Sequence, residues 1–195
     1  MEIFILGQIF AFPQADIDTD LIIPARYLTT ADPSTLALHV LEPLRQNQDL
    51  LAAGNLVPKL QNPAATAEKP RAEDSPGNKQ AVAQTGQLKP IVVAGPNFGC
   101  GSSREHAVWA LAGAGVQAVI AESFARIFFR NAINFGLPVV TLTQAAQRFK
   151  SGDKVKLNFA THRVQNLTRE KTFTFKPLPD FLQSIVVSGG LLNQL

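Results

Sequence analysis

Apolar positions recur along this chain with two different spacings. Residues 3–12, IFILGQIFAF, are nearly all apolar and read as a buried strand, as do IVVAG (91–95), VQAVIAES (116–123) and LPVVTL (137–142). Between them, AVWALAGAGV (107–116) and FARIFFRNAINFG (124–136) carry helical spacing, each with a glycine where a helix would stop. Strand, helix, strand, helix and strand in direct succession predict a parallel sheet covered by helices. Beyond residue 150 the pattern changes. DKVKLNF (153–159) alternates with period two, THRVQNLTREKTFTF (161–175) continues as paired strands, and PDFLQSIVVSGG (179–190) reads as a helix with a glycine stop. The fold class is therefore α/β: a parallel or mixed sheet core flanked by helices, an antiparallel section toward the C-terminus, and a terminal helix.

The stretch between the first two strands is less regular. DIDTD (16–20) is acidic and turn-forming, with Asp16 and Asp18 read as turn residues, and LIIP (21–24) reads as a short buried strand or turn. A loop follows through Thr30. A helix is expected from about Ser34 to Leu44, with Asp32 as N-cap, Pro33 at the first helical position, and Leu36, Val40 and Leu44 four residues apart. Residues 52–90 hold five prolines and no aromatic residue. They read as a low-complexity, mobile insertion within a single domain spanning 1–195, because such a composition cannot offset the entropy of fixing it.

At 195 residues, with 46% hydrophobic and 17% charged positions, the chain has ordinary globular usage and can bury a core of its own. No apolar run approaches the length of a membrane crossing, and the N-terminus lacks a basic region and a small-residue cleavage pattern. A cytoplasmic location is expected. The single cysteine, Cys100, excludes an internal disulfide and cannot by itself build a CxxC-type metal or iron–sulfur site. The net charge of +3 is unevenly spread, with seven acidic and two basic side chains in residues 1–51, and eleven basic and five acidic ones in residues 91–195. That imbalance leans toward an anionic ligand. The basic residues are scattered and not interleaved with aromatics, so nucleic acid is not the expected partner. The Asn-Leu-Thr sequon at 166–168 is taken as incidental.

The chemistry concentrates in GPNFGCGSSREHA (95–107). A glycine-rich loop leading into a helix turns backbone N–H groups and the positive end of the helix dipole toward one point, which favours an anion. Neither GxxxxGK nor GxGxxG is present, which argues against phosphate cradling. Cys100 reads as a small packed side chain and His106 as a capping or packing histidine. Ser102 and Ser103 have two readings of equal weight from spacing: N-caps ahead of Glu105 or His106, or hydroxyls placed where an alkoxide base would be stabilised. Arg104 favours the second, because a guanidinium beside such a helix mouth can clamp a carboxylate bidentately.

GPNFGCGSSREHA, together with DIDTDLIIPARYL (16–28) and ESFARIFFRNAINFGLP (122–138), closely resembles the 3-isopropylmalate dehydratase small subunits, the swivelling domain of the aconitase superfamily. GDKV (152–155), NLT (166–168), PLPDFL (177–182) and GGLL (189–192) resemble the same family's C-terminal pattern. The resemblance implies an aconitase swivelling-domain-like fold. It also implies a hydro-lyase half that acts only with a large subunit carrying a [4Fe–4S] cluster, no cofactor on this chain, and a small hydroxy-dicarboxylate substrate. The reaction would interconvert 2-isopropylmalate and 3-isopropylmalate by dehydration and rehydration in leucine biosynthesis. Homoaconitase and methylmalate/citraconate-type small subunits are the alternatives within enzymes, and a non-catalytic binding module that kept the fold is the alternative outside them.

Carried over residue by residue, the resemblance makes Ser102 the base, Arg104 its stabiliser and a substrate contact, Ser103 a carboxylate contact, and Asp20 an orienting acid. The alternative role for Asp20 is that of a turn acid. Tyr27, Leu28, Thr29 and Thr30 fall where the family reads the substrate's distinguishing group, and homoaconitase-type members tend to carry arginine at the position of Thr29. An uncharged surface there suits a branched apolar tail, although Arg26 lies next door. The chain departs from the family at Val108, where proline is usual after REHA, and at the 52–90 insertion.

Overall fold

The computed structural model describes residues 4–45 and 88–193, so the expected insertion lies outside the described residues as far as residue 87. Seven strands form one sheet: β1 (Phe4–Phe12), β2 (Lys89–Ala94), β3 (Ala118–Ala121), β4 (Val139–Thr141), β5 (Lys154–Asn158), β6 (Arg163–Asn166) and β7 (Lys171–Thr174). Their order is β4-β3-β2-β1-β5-β6-β7. The pairs from β4 to β1 are parallel, and those from β1 to β7 are antiparallel. The helices of the described residues are α1 (Thr19–Ile22), α2 (Pro33–Ala37), α3 (Glu42–Arg45), α4 (His106–Gly113), α5 (Arg126–Phe135), α6 (Ala145–Arg148) and α7 (Asp180–Val187).

The near-continuous apolar runs have a simple cause. Phe10, Phe12, Val92, Ala94, Val119 and Ala121 pack with Leu36, Leu111, Phe128 and Ile185 of α2, α4, α5 and α7 on one face of the sheet. Ile9, Ala11, Ile91, Val93, Ala118 and Ile120 pack with Ala145 and Phe149 on the other. A strand buried on both faces has no position left for a polar residue, so it reads as unbroken hydrophobicity. In the antiparallel section one face is wetter and the alternation returns. There Asp153, buried, accepts from the Asn166 amide at 2.8 Å and from Arg169 Nε at 3.1 Å, fixing the end of β6. Asn166 is wholly buried.

Three local expectations change. LIIP is not a strand: Leu21 and Ile22 close the single turn of α1, because Asp18 caps it by accepting from the Leu21 N–H at 2.7 Å. The helix expected over 34–44 is two pieces. Asp32 caps α2 as expected, and the hydroxyls of Ser34 and Thr35 on its carboxylate bring that acid down to about 2. Leu41, however, sits at φ 53 and donates to Ile22 O at 2.7 Å, and α3 restarts with Pro43 in its first turn. A helix continuing through Pro43 would set its ring against the carbonyl four residues back. β2 starts at Lys89, two residues before Ile91, through pairing of Gly7 and Gln8 with Lys89 and Pro90. The stretch 161–175 forms paired strands as expected, β6 and β7, joined by a turn at 167–170.

Candidate functional site

The loops leaving the carboxyl ends of β1, β2 and β3 are laced together, at the edge where ligands of parallel sheets commonly bind. Asp16 N donates to Pro96 O at 3.0 Å, Gly99 N to Ile17 O at 2.7 Å and Thr19 N to Cys100 O at 2.8 Å. On the other side, Phe98 N donates to Ser123 O at 3.0 Å and Ala125 N to Phe98 O at 2.9 Å. The middle loop is anchored by Phe98, fully buried and edge-on to Phe124 and Phe128, with centroids 6.2 and 5.1 Å away. Gly99 follows at φ +79, and a Cβ there would fall on the Phe128 ring.

DIDTD divides its work along this seam. The Asp16 carboxylate accepts from Asn97 Nδ2 at 2.7 Å, and the Asp18 carboxylate caps α1. Thr19, 2% exposed, accepts the Ser102 N–H at 3.2 Å, and its hydroxyl also lies 3.2 Å from Ser102 Oγ. Asp20 accepts from Arg104 Nη1 in a half-exposed ion pair. The loops thus bring Ser102, Thr19, Asp20 and Arg104 into one strip.

α4 begins at His106, and Glu105 precedes it with no side-chain capping bond. The two serines therefore stand in the turn ahead of the helix and do not cap it. The contact made to the Ser102 hydroxyl comes from Thr19. Thr19 Oγ1 accepts from the Ser102 amide, and in its contact with Ser102 Oγ either hydroxyl can be the donor. The sequence pattern did not single out Thr19; its signal was a hydroxyl set between Asp18 and Asp20 in a turn. Ser103 is exposed, and its carbonyl accepts from Asn131 Nδ2 of α5 at 3.3 Å, a second contact that the pattern did not disclose.

Cys100 gives its carbonyl to the seam, and burial, with Asp18 and Asp16 nearby, pushes its thiol up from the ordinary value. It stays protonated at neutral pH and is a poor nucleophile. His106 packs on Trp109, their rings 4.7 Å apart. Val108, at the position of the family's proline, is buried in α4. Tyr27 stacks on His39 and, with Leu28, packs against the larger core cluster. Thr29 is exposed, and Thr30 Oγ1 accepts from Asp32 N at 3.1 Å. Among the described residues, no three His, Cys, Asp or Glu side chains gather to hold a metal ion, and no helix is long and apolar enough to cross a membrane.

A mixed sheet whose parallel half carries a laced serine–arginine edge defines an aconitase C-terminal domain, and that family matches residues 12–146. Within it, the chain belongs to the 3-isopropylmalate dehydratase small subunits. It is 45% identical over 177 residues to the 3-isopropylmalate dehydratase small subunit of Moorella thermoacetica, covering 91% of this chain and 86% of that one. It is 41% identical over 187 residues to the protein of the same description from Wolinella succinogenes, covering 96% and 90%. A crystal structure of 3-isopropylmalate dehydratase from Methanocaldococcus jannaschii superposes with a TM-score of 0.73 at 34% identity, covering 98% of this chain and 92% of that one.

Proposed function

We propose that this chain is the base-bearing half of a hydro-lyase that interconverts 2-isopropylmalate and 3-isopropylmalate in leucine biosynthesis, in the cytoplasm, joined to a large subunit. The observation that carries the reading is Ser102 Oγ, 3.2 Å from the Thr19 hydroxyl and two residues from an arginine paired to Asp20. Ser102 takes the proton beside the substrate carboxylate and returns it to the alkene at the neighbouring carbon. Its hydroxyl is a weak acid, and each pKa unit removed costs about 1.4 kcal/mol of differential stabilisation. The Thr19 O–H and the Arg104 guanidinium are the groups that supply it. Ser103 and Arg104 hold the carboxylate, and Asp20 keeps the guanidinium in register.

A [4Fe–4S] cluster on the large subunit would supply the Lewis acid for the departing hydroxide. This chain, with one cysteine, lacks the thiolates to hold such a cluster alone. Arg104 and Asp20 are partly exposed here. Closure against a large subunit would dry their surroundings and strengthen both their pairing and their hold on an alkoxide.

The test is anaerobic co-purification with the large subunit and assay of 2-isopropylmalate, citraconate and homocitrate side by side. Turnover of the first is expected from the complex, and none from this chain alone; a complex with intact cluster that turns over none of the three refutes the reading. Thr19→Val, nearly isosteric, should lower kcat about 10- to 100-fold by removing one donor to a charged oxygen. KM should change little, and the acid limb of the kcat–pH profile should move upward, because the base loses stabilisation of its charged form. A uniform loss with an unmoved pH profile would make Thr19 structural only.

A further inference from the structure

Arg26, Tyr27, His39 and Glu42 form a closed ring of contacts. The Tyr27 and His39 rings stack with centroids 3.5 Å apart and planes within 7°. The Arg26 guanidinium lies 4.6 Å from the Tyr27 ring centroid, and its Nη2 donates to Glu42 Oε1 at 3.1 Å. The circuit closes through His39 Nδ1, 3.2 Å from Glu42 Oε2. Every member therefore touches two others. The break at Leu41 makes this possible: its N–H on Ile22 O draws the start of α3 back toward the end of α1, four residues before Arg26.

Arg26 is the only lysine or arginine among residues 1–44, and Thr29, three residues further along the loop, carries no charge. The loop's single means of attracting an anionic side arm is thus already engaged. Free, a guanidinium there would pair with a carboxylate; held by Glu42, it would have to break that contact, and the incoming carboxylate would also meet the Glu42 charge. Specificity of this kind comes as much from what is made unfavourable as from what is attracted.

The geometry points to Glu42 as a specificity-positioning residue: it holds Arg26 against Tyr27 and so keeps the substrate-reading loop neutral, favouring a hydrocarbon side arm over a carboxylate. This rests on the proposed isopropylmalate reaction and on the assignment of residues 27–30 as that loop, which the family resemblance implies. Burial alone would raise the Glu42 acid, but hydrogen bonds from Tyr27 and His39 and the nearby Arg26 charge hold it below its ordinary value, so it is ionised at neutral pH.

The experiment uses the two-subunit complex and compares kcat/KM for homocitrate and for 2-isopropylmalate. Glu42→Gln should raise the homocitrate-to-isopropylmalate ratio at least about tenfold, as a freed charged donor finds a carboxylate, with the gain in KM for homocitrate. Arg26→Ala should show no such rise, and Arg26→Ala/Glu42→Gln should lose it. Thr29→Arg, which places a cation directly on the loop, serves as the reference and should raise the same ratio. If Glu42→Gln lowers both substrates equally, or the double variant keeps the gain, the role of Glu42 is overturned while a shift in Thr29→Arg leaves the loop reading standing. If Thr29→Arg also leaves the ratio unmoved, the loop reading fails and the role of Glu42 with it.

Discussion

Ser102→Ala is expected to lower kcat of the two-subunit enzyme by about 100- to 10,000-fold, the range for losing a general acid–base. KM should change far less, because the hydroxyl acts on the proton in flight. The fold should be indifferent. Ser102 is exposed, and its backbone N–H, which the alanine variant keeps, makes the bond to Thr19 that ties the two loops. Thermal melts of the variant chain should therefore overlay those of the parent, which separates lost chemistry from lost structure. A kcat within threefold of the parent would remove Ser102 from the role of base and shift attention to Ser103.

Gly99→Ala should produce a large loss of stability. Gly99 sits at φ +79, where a Cβ costs about 1–2 kcal/mol by itself. The new carbon would also fall on Phe128, 2% exposed and held edge-on by Phe98, so the ring cannot swing aside into open space. Overpacking of this sort adds about 1–3 kcal/mol. Together these are about 2–5 kcal/mol against a total of about 5–15, or a drop of roughly 5–20 °C in Tm. Gly115 supplies the control: it has a similar φ of +78 but nothing within 4 Å of an added Cβ. Gly115→Ala should cost the backbone strain alone. Equal melting temperatures for the two variants would mean that Phe128 yields, and that the anchoring of the NFGCG loop is looser than its contacts imply.

The sheet was readable because its apolar runs reflect burial on both faces, a property of each strand by itself. The helix stops were readable for a similar reason, since termination is local chemistry. The break after α2 was not: Leu36, Val40 and Leu44 keep helical spacing across it, and what decides against one helix is the pull of Ile22 O on the Leu41 N–H together with Pro43. The site was half readable. Ser102, Arg104 and Asp20 stand out by type and by family resemblance, and the structure brings Arg104 and Asp20 together. Thr19 and Asn131 reach the serine turn across 83 and 28 residues of sequence, through loops that meet only when the strands pair. No periodicity records a meeting of that kind. Spacing alone left the serines between two readings, because S-S-R-E imitates a capping box, and the observed start at His106 removes the capping one.

The central place of β1 has a consequence for how the chain is made. Among the described strands it is synthesised before the others, yet Gly7 waits for Lys89 on one side and for Val155 on the other. At about 5–20 residues per second, roughly 10–30 s pass before its second neighbour is synthesised. Until then at least one edge of this apolar strand stays open, and such long-range pairing is slow to form even afterwards. Yield in a heterologous host should therefore depend on chaperone capacity and growth temperature more than on the thermodynamic stability of the finished domain.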